Sequence, residues 1–155
     1  HIVINEHVRE ISQFAFLYSN IISAVFKHNY SSLTLGKSTF RSCSNLIYLD
    51  MSYVLIDEIP KRCFENCSSL RTALIPSVLY IREQAFNECN NLKTIDIRSS
   101  IIIESRAFYN CNINSLIFTN NLESIGDKAF AFNDLDYIEF RNNINSNINF
   151  GTNVF

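Results

Sequence analysis

The feature that most constrains this chain is a period. Starting from "IREQAFNECNNLKTIDI", residues 81–97, the same arrangement recurs at Ile11 with Ala15-Phe16, Leu35 with Thr39-Phe40, Ile59 with Cys63-Phe64, Ile81 with Ala85-Phe86, Ile103 with Ala107-Phe108 and Ile125 with Ala129-Phe130. The anchors are 24, 24, 22, 22 and 22 residues apart. A fixed repeat of this length means one supersecondary unit stacked on copies of itself, each burying its apolar face against its neighbours.

Two further columns follow. Three residues after each Phe stands a small or polar residue: Ser19, Cys43, Cys67, Cys89, Cys111 and Asn133. Beyond it comes an apolar-x-x-apolar-x-apolar run, as in Leu46/Leu49/Met51, Leu70/Ala73/Ile75 and Leu92/Ile95/Ile97, or the same run reached one residue sooner, as in Ile113/Leu116/Phe118 and Leu135/Ile138/Phe140. Its last apolar residues alternate with an outward one, which is strand periodicity. Strands one period apart pair in parallel at about 4.8 Å. The Ala-Phe-x-x-Cys stretch returns on the far side, as a helical turn or a short irregular segment, and the sheet is expected to be concave.

Ile2-Val3-Ile4 reads as the strand of a repeat without its beginning, and "FGTNVF", residues 150–155, as the start of another. A piece of a longer array is therefore expected. With three Gly and two Pro in 155 residues, no linker divides the chain. The Asn-rich stretch from Arg141 to Asn153 reads as a long irregular connection.

The residues carrying the period resemble the BspA-type leucine-rich repeat. The pattern I-G-x-x-A-F-x-x-C-x-x-L-x-x-I-x-I-P is nearly intact in "IREQAFNECNNLKTIDI" and present in pieces in "LIPSVLYI" and "IGDKAF". Thr39 and Cys63 depart from it at the Ala position. The resemblance implies an α/β-type repeat solenoid, a leucine-rich-repeat superhelix with a parallel concave sheet and short helical or irregular convex segments. It makes residues 1–155 one leucine-rich-repeat domain of about six repeats, partial at both ends. For function it implies a surface or secreted adhesion protein that binds a protein ligand, with no catalytic residues. The alternative is a cytoplasmic or cytoskeletal scaffold, which suits free thiols.

The remaining chemistry reads as structural. A formal net charge of -2 gives no footprint for nucleic acid. Ile11 to Phe26 is uncharged but too short and polar to span a bilayer. Cys43, Cys67, Cys89 and Cys111 share one repeat position, so they stack as buried thiols able to donate weakly to carbonyls. Parallel Cβ vectors oppose bridging between them. Cys63, in the Ala position, is the odd one out and the more reactive if near the surface. His1, His7 and His28 have no nucleophile motif around them, and neither a metal nor a cofactor site is read. Glu104 and Asp127 are expected to face solvent. The sequon at Asn29 falls in a loop, whereas that at Asn66 overlaps the cysteine column.

The outward strand positions supply the candidate site. One column is Val3, Val25, Asp50, Leu74, Asp96, Ile117 and Glu139; the next is Ser23, Tyr48, Thr72, Thr94, Ser115 and Tyr137; outside it lie Ile22, Ile47, Arg71, Lys93, Asn114 and Asp136. Of these, Tyr48, Asp50, Arg71, Leu74, Lys93, Asp96, Ile117, Tyr137 and Glu139 form the expected partner-binding face. Apolar, hydroxyl and charged positions side by side suit a protein contact.

Overall fold

The computed structural model describes residues 1–27, 32–141 and 147–155. His28 and the sequon at Asn29 lie outside the described residues, as do positions 142–146 of the Asn-rich stretch. Each coil, named here by its anchor, passes in turn through a two-residue strand at the anchor, a pair of tight turns and, in every coil but that of Ile81, a longer strand.

The longer strands are β1 (Ile2–Ile4), β3 (Ser23–Phe26), β5 (Tyr48–Asp50), β7 (Thr72–Leu74), β10 (Ser115–Phe118) and β12 (Tyr137–Phe140). They pair in parallel as β1-β3-β5-β7 and β10-β12. Their register matches the sequence columns: Val3, Val25, Asp50 and Leu74 align, as do Ser115 with Tyr137 and Ile117 with Glu139. Inward residues Ala24, Leu49, Ala73 and Leu116 are buried, so the alternation follows from burying one face.

A second parallel sheet, absent from the sequence reading, is built by the anchors. Here β6 (Glu58–Ile59), β8 (Tyr80–Ile81), β9 (Ile102–Ile103), β11 (Ser124–Ile125) and β13 (Asn149–Phe150) run in consecutive order, and β2 (Glu10–Ile11) pairs with β4 (Thr34–Leu35). The anchors from Ile59 to Ile125 are almost wholly buried. In the 24-residue Leu35 coil the extra length lies between β5 and β6, where Tyr53 and Leu55 are exposed over a buried Val54.

The expected helical convex segments do not form: among the described residues there is no helix. The physical reason is in the backbone. The third and seventh residues after each anchor have positive φ, as at Gln84 (59°) and Glu88 (60°) in the Ile81 coil. The amides of the segment then alternate in direction. Those of Gln84, Phe86 and Glu88 donate to Ser105, Ala107 and Tyr109 of the next coil, whereas those of Ala85, Asn87 and Cys89 donate three residues back. Left-handed side-chain-bearing residues are costly. Here every such amide from Phe14 to Lys128 donates a hydrogen bond to the coil ahead, which offsets that cost. The molecule is thus a β-solenoid with a third ladder of turns.

Between these walls the Phe side chains form one column. Phe16, Phe40, Phe64, Phe86, Phe108 and Phe130 stack with centroids 5.0–5.4 Å apart, and only Phe16 is less than fully buried. Phe155 adds a further ring 6.0 Å from Phe130. Beside the column, the thiols of Cys43, Cys67, Cys89 and Cys111 donate to the carbonyls of Phe16, Phe40, Phe64 and Phe86 at 3.0–3.2 Å. Asn133 does the same with its amide to Phe108 at 2.7 Å. Cys63 is fully buried, so the surface thiol considered from its odd position is not what forms. Burial pushes its thiol far up and that of Cys111 up to about 12.

Glu104 is also corrected. Half-buried, it accepts from Arg82 Nη1 at 2.8 Å, while Arg82 Nε bonds Glu58 at 2.7 Å. One guanidinium over the Tyr80 ring therefore ties the carboxylates of the two flanking coils to the coil between them.

Candidate interaction surface

The longer-strand sheet carries the predicted surface residues outward. Tyr48, Asp50, Ile117 and Glu139 are half-buried, while Arg71, Leu74, Lys93, Asp96 and Tyr137 are exposed. Large apolar side chains on this face reach solvent at Val3 (55%), Ile22 (44%), Ile47 (43%), Leu74 (42%) and Tyr137 (51%). Val3, Leu74 and Tyr137 sit in paired strands, and Ile22 and Ile47 stand just before one, joined by the Ile47 amide to the Ile22 carbonyl, so their positions are fixed before any partner arrives.

Charged groups on the face are mostly engaged locally. Asp50 accepts from Tyr48 Oη at 3.3 Å and from the Ser52 amide and hydroxyl at 3.1 and 2.8 Å. Burial, then the Asp50 charge, raises the Tyr48 phenol. At the far end Glu139 pairs with Arg141 at 3.0 Å, and its hydrogen bond with Tyr137 raises that phenol. Arg71 and Lys93 stand apart: among the described residues neither side chain has an ion-pair partner.

The structure does not bring all predicted positions into one sheet. Leu92/Ile95/Ile97 has the strand pattern, yet residues 93–97 form no strand and the sheet is interrupted there. Ile95, at the inward position of Leu49 and Leu116, is half-buried rather than buried. The cause is local. The Asp96 carboxylate accepts the Arg98 amide at 3.1 Å and both prongs of its guanidinium at 2.9 and 2.5 Å. Such bonding competes with a ladder, although Asp50 makes the same bond to the Ser52 amide within the paired strand Tyr48–Asp50; what sets Asp96 apart is the added guanidinium fork. The same fork holds the Asp96 carboxyl below its ordinary value.

Sequence reasoning therefore missed Arg98 and the opening beside it. A cleft of about 510 Å³ is lined by Thr72, Leu74, Thr94, Asp96, Ser115 and Ile117. A second, of about 430 Å³, continues past Asp96 and Arg98 towards Pro76, Ser100 and Thr119. The Asp-x-Arg spacing was the available signal, because Asp50-x-Ser52 makes the same two-residue turn bond.

Other chemistry is sparse. Among the described residues no group of three or more His, Cys, Asp or Glu is placed to hold a metal ion. No described helix is long and apolar enough to cross a membrane.

Comparison with known proteins agrees with this architecture. The sequence matches the BspA type leucine rich repeat region, in six copies, over residues 1–79 and 57–155. Its structure is similar to the crystal structure of a leucine-rich repeat protein from Bacteroides ovatus ATCC 8483, with a TM-score of 0.54 and 17% identity over 99% of this chain. It spans 60% of that protein's chain, and the likeness is one of fold. The comparison with curated proteins gave no match. Six repeat copies, a parallel solenoid and a Phe column in register place the chain in one family: it belongs to the BspA-type leucine-rich repeats.

Proposed function

We propose that this chain is a non-enzymatic protein-interaction module of a surface or secreted adhesion protein, and that residues 1–155 act as one binding unit. The partner sits on the longer-strand face, centred on Tyr48, Leu74, Ile117 and Tyr137, with Asp50, Arg71, Lys93, Asp96 and Glu139 around them. The observation that carries this reading is the exposure of apolar and aromatic side chains in register on a rigid sheet. Such a surface binds without the entropy loss of ordering a loop, and exposed aromatics are enriched at interfaces. The family supports a binding role, and the extracellular placement is our extension of it.

The test is capture. The intact chain is used as bait for surface and secreted fractions, alongside a variant with Tyr48, Leu74 and Ile117 all changed to Ser. Loss of the captured partner with an unchanged melting transition supports the assignment. Retention by the triple variant, with loss when Tyr53 and Leu55 are changed instead, places the site on the loop edge and overturns it.

A scaffold inside the cell is the second reading, favoured by the five free, buried cysteines. Partners recovered only from a cytosolic fraction would select it.

A further inference from the structure

The outer column of the longer-strand face gives the interaction surface a more specific reading, one that rests on that face being the partner side. Along the stack the column is Ile22, Ile47, Arg71, Lys93, Asn114 and Asp136, every one of them exposed. The backbone fixes both of its halves. The Ile47 amide donates to the Ile22 carbonyl at 2.8 Å and that of Arg71 to the Ile47 carbonyl at 3.0 Å. Further on, Asn114 donates to Lys93 at 3.2 Å and Asp136 to Asn114 at 2.9 Å. The column therefore changes in a fixed order, from apolar to basic to acidic, at about 4.8 Å per coil.

At its apolar end lies a cleft of about 570 Å³, lined by Asn20, Ile22, Asn45, Ile47 and Ser69. Its two isoleucines span a single coil step, which suits one inserted side chain and is too short for an acyl chain. Arg71 follows one coil after Ile47, and Lys93 one coil later. Other charges on the face are already matched: Arg98 by Asp96, Arg141 by Glu139, and Asp50 by hydrogen bonds from Tyr48 and Ser52. Arg71 and Lys93 have no ion-pair partner among the described residues. Two unmatched cations on adjacent coils attract a carboxylate, whereas exposed Asp134 and Asp136 at the far end repel one. That asymmetry gives a ligand one direction along the stack.

We propose that a protein partner seats one apolar side chain between Ile22 and Ile47 and, about 10 Å further along, sets a carboxylate against Arg71 and Lys93. In an extended segment this is a Leu, Ile or Phe with an Asp or Glu about three residues away. The segment lies across the strands, along the solenoid axis, and joins no ladder. The cleft supplies the anchor and the two cations supply the specificity.

A linear, cysteine-free peptide library displayed on phage and selected on the intact chain tests this. The expected binders carry a large apolar residue and an acid at that spacing. For a synthetic binder, Arg71→Gln with Lys93→Gln weakens binding at least about tenfold and removes most of its salt dependence. Ile47→Ser weakens it by a similar factor, with Ile47→Thr as the milder change should the first lower the melting transition. Asp136→Asn leaves affinity unchanged or raises it. A selection yielding no binder, a scrambled peptide that binds as tightly, or binders indifferent to the Gln pair and to Ile47 overturns the proposal. Oleate that binds the cleft more tightly than any selected peptide also overturns it, in favour of a lipid. Should indifferent binders still respond to Tyr48→Ser and Ile117→Ser, the strand face remains the partner side and only the outer-column assignment fails. Indifference to every strand-face change removes both readings.

Discussion

The Sγ of Cys89 lies 3.2 Å from the carbonyl oxygen of Phe64, one coil earlier, and donates to it. The Phe64 carbonyl also accepts the Cys67 amide, so the thiol fills its second lone pair. Cys89 is thus a hydrogen-bonding component of the core. Cys89→Ala removes that donor and leaves a small void, and is expected to destabilise by about 1 to 3 kcal/mol in urea unfolding. Native protein should leave Cys67, Cys89 and Cys111 unlabelled by a thiol reagent that modifies all five cysteines after denaturation. Rapid native labelling of those three contradicts the assignment.

The same burial sets a pH dependence. The thiols of Cys63, Cys67, Cys89 and Cys111 are all raised, with desolvation the largest cause. A raised acid holds its proton in the folded state while the unfolded thiol releases it. The stabilising contribution is therefore complete below the unfolded value near 8.5 and declines as pH rises towards the folded one. Each thiol can contribute up to about 1.4 kcal/mol of loss per pH unit in that window. Urea midpoints at pH 7 and pH 9.5 should differ accordingly, and a variant with these cysteines replaced should lose most of the difference.

Phe86 sits fully buried between Phe64 and Phe108, 5.1 and 5.3 Å from their ring centres. Phe86→Ala opens the middle of the column. The expected destabilisation is about 3 to 5 kcal/mol, with a broadened transition, because a solenoid couples only nearest neighbours. A sharp transition with a loss below about 1 kcal/mol contradicts this placement.

What the sequence disclosed and what it withheld have separate physical causes. The Phe and Cys columns and the strand register from Val3 to Leu74 were legible because burial repeats at one position per coil. The second sheet was not, because a two-residue strand such as Tyr80–Ile81 is too short to show alternation. The turn ladder was hidden for another reason. Most of its left-handed positions hold residues such as Arg62, Gln84 and Glu88, and Asn, which would have signalled positive φ, stands only at Asn66, Asn110 and Asn153 among them. At the candidate site, the pattern placed Tyr48, Leu74, Ile117 and Tyr137 on the outward face of paired strands. The regular pattern did not disclose that residues 93–97 leave the ladder, where Asp96 is forked to Arg98.

Arg82 gives a test of the second sheet. Its contacts to Glu58 and Glu104 at 2.7 and 2.8 Å are partly solvent-exposed, so each pair contributes modestly. Arg82→Ala should cost about 1 kcal/mol, including the loss of the cation–π contact with Tyr80. The loss should shrink in high salt. A double-mutant cycle with Glu104→Gln should show coupling, and additive losses would mean the bridge contributes nothing.

Asp96 decides whether the interrupted coil is a local choice or a property of the stack. Its column is held by Val3, Val25 and Asp50 in the first coils, all in paired strands, so an acid at this position does not by itself exclude pairing. Arg98 lowers the Asp96 carboxyl, so the pair's contribution is present above the ordinary carboxylate range and lost as pH falls through the lowered value. Asp96→Val removes the turn bond and supplies a strong strand former with the same outward direction. The expected outcome is that residues 94–96 join Thr72–Leu74, that the amides of this stretch exchange more slowly, and that stability rises by about 0.5 to 1 kcal/mol. Unchanged exchange at Thr94 and Ile95 in Asp96→Val would show instead that the gap is held open elsewhere, with Ile75-Pro76 across the cleft the next segment to change, since Pro76 has no amide to give.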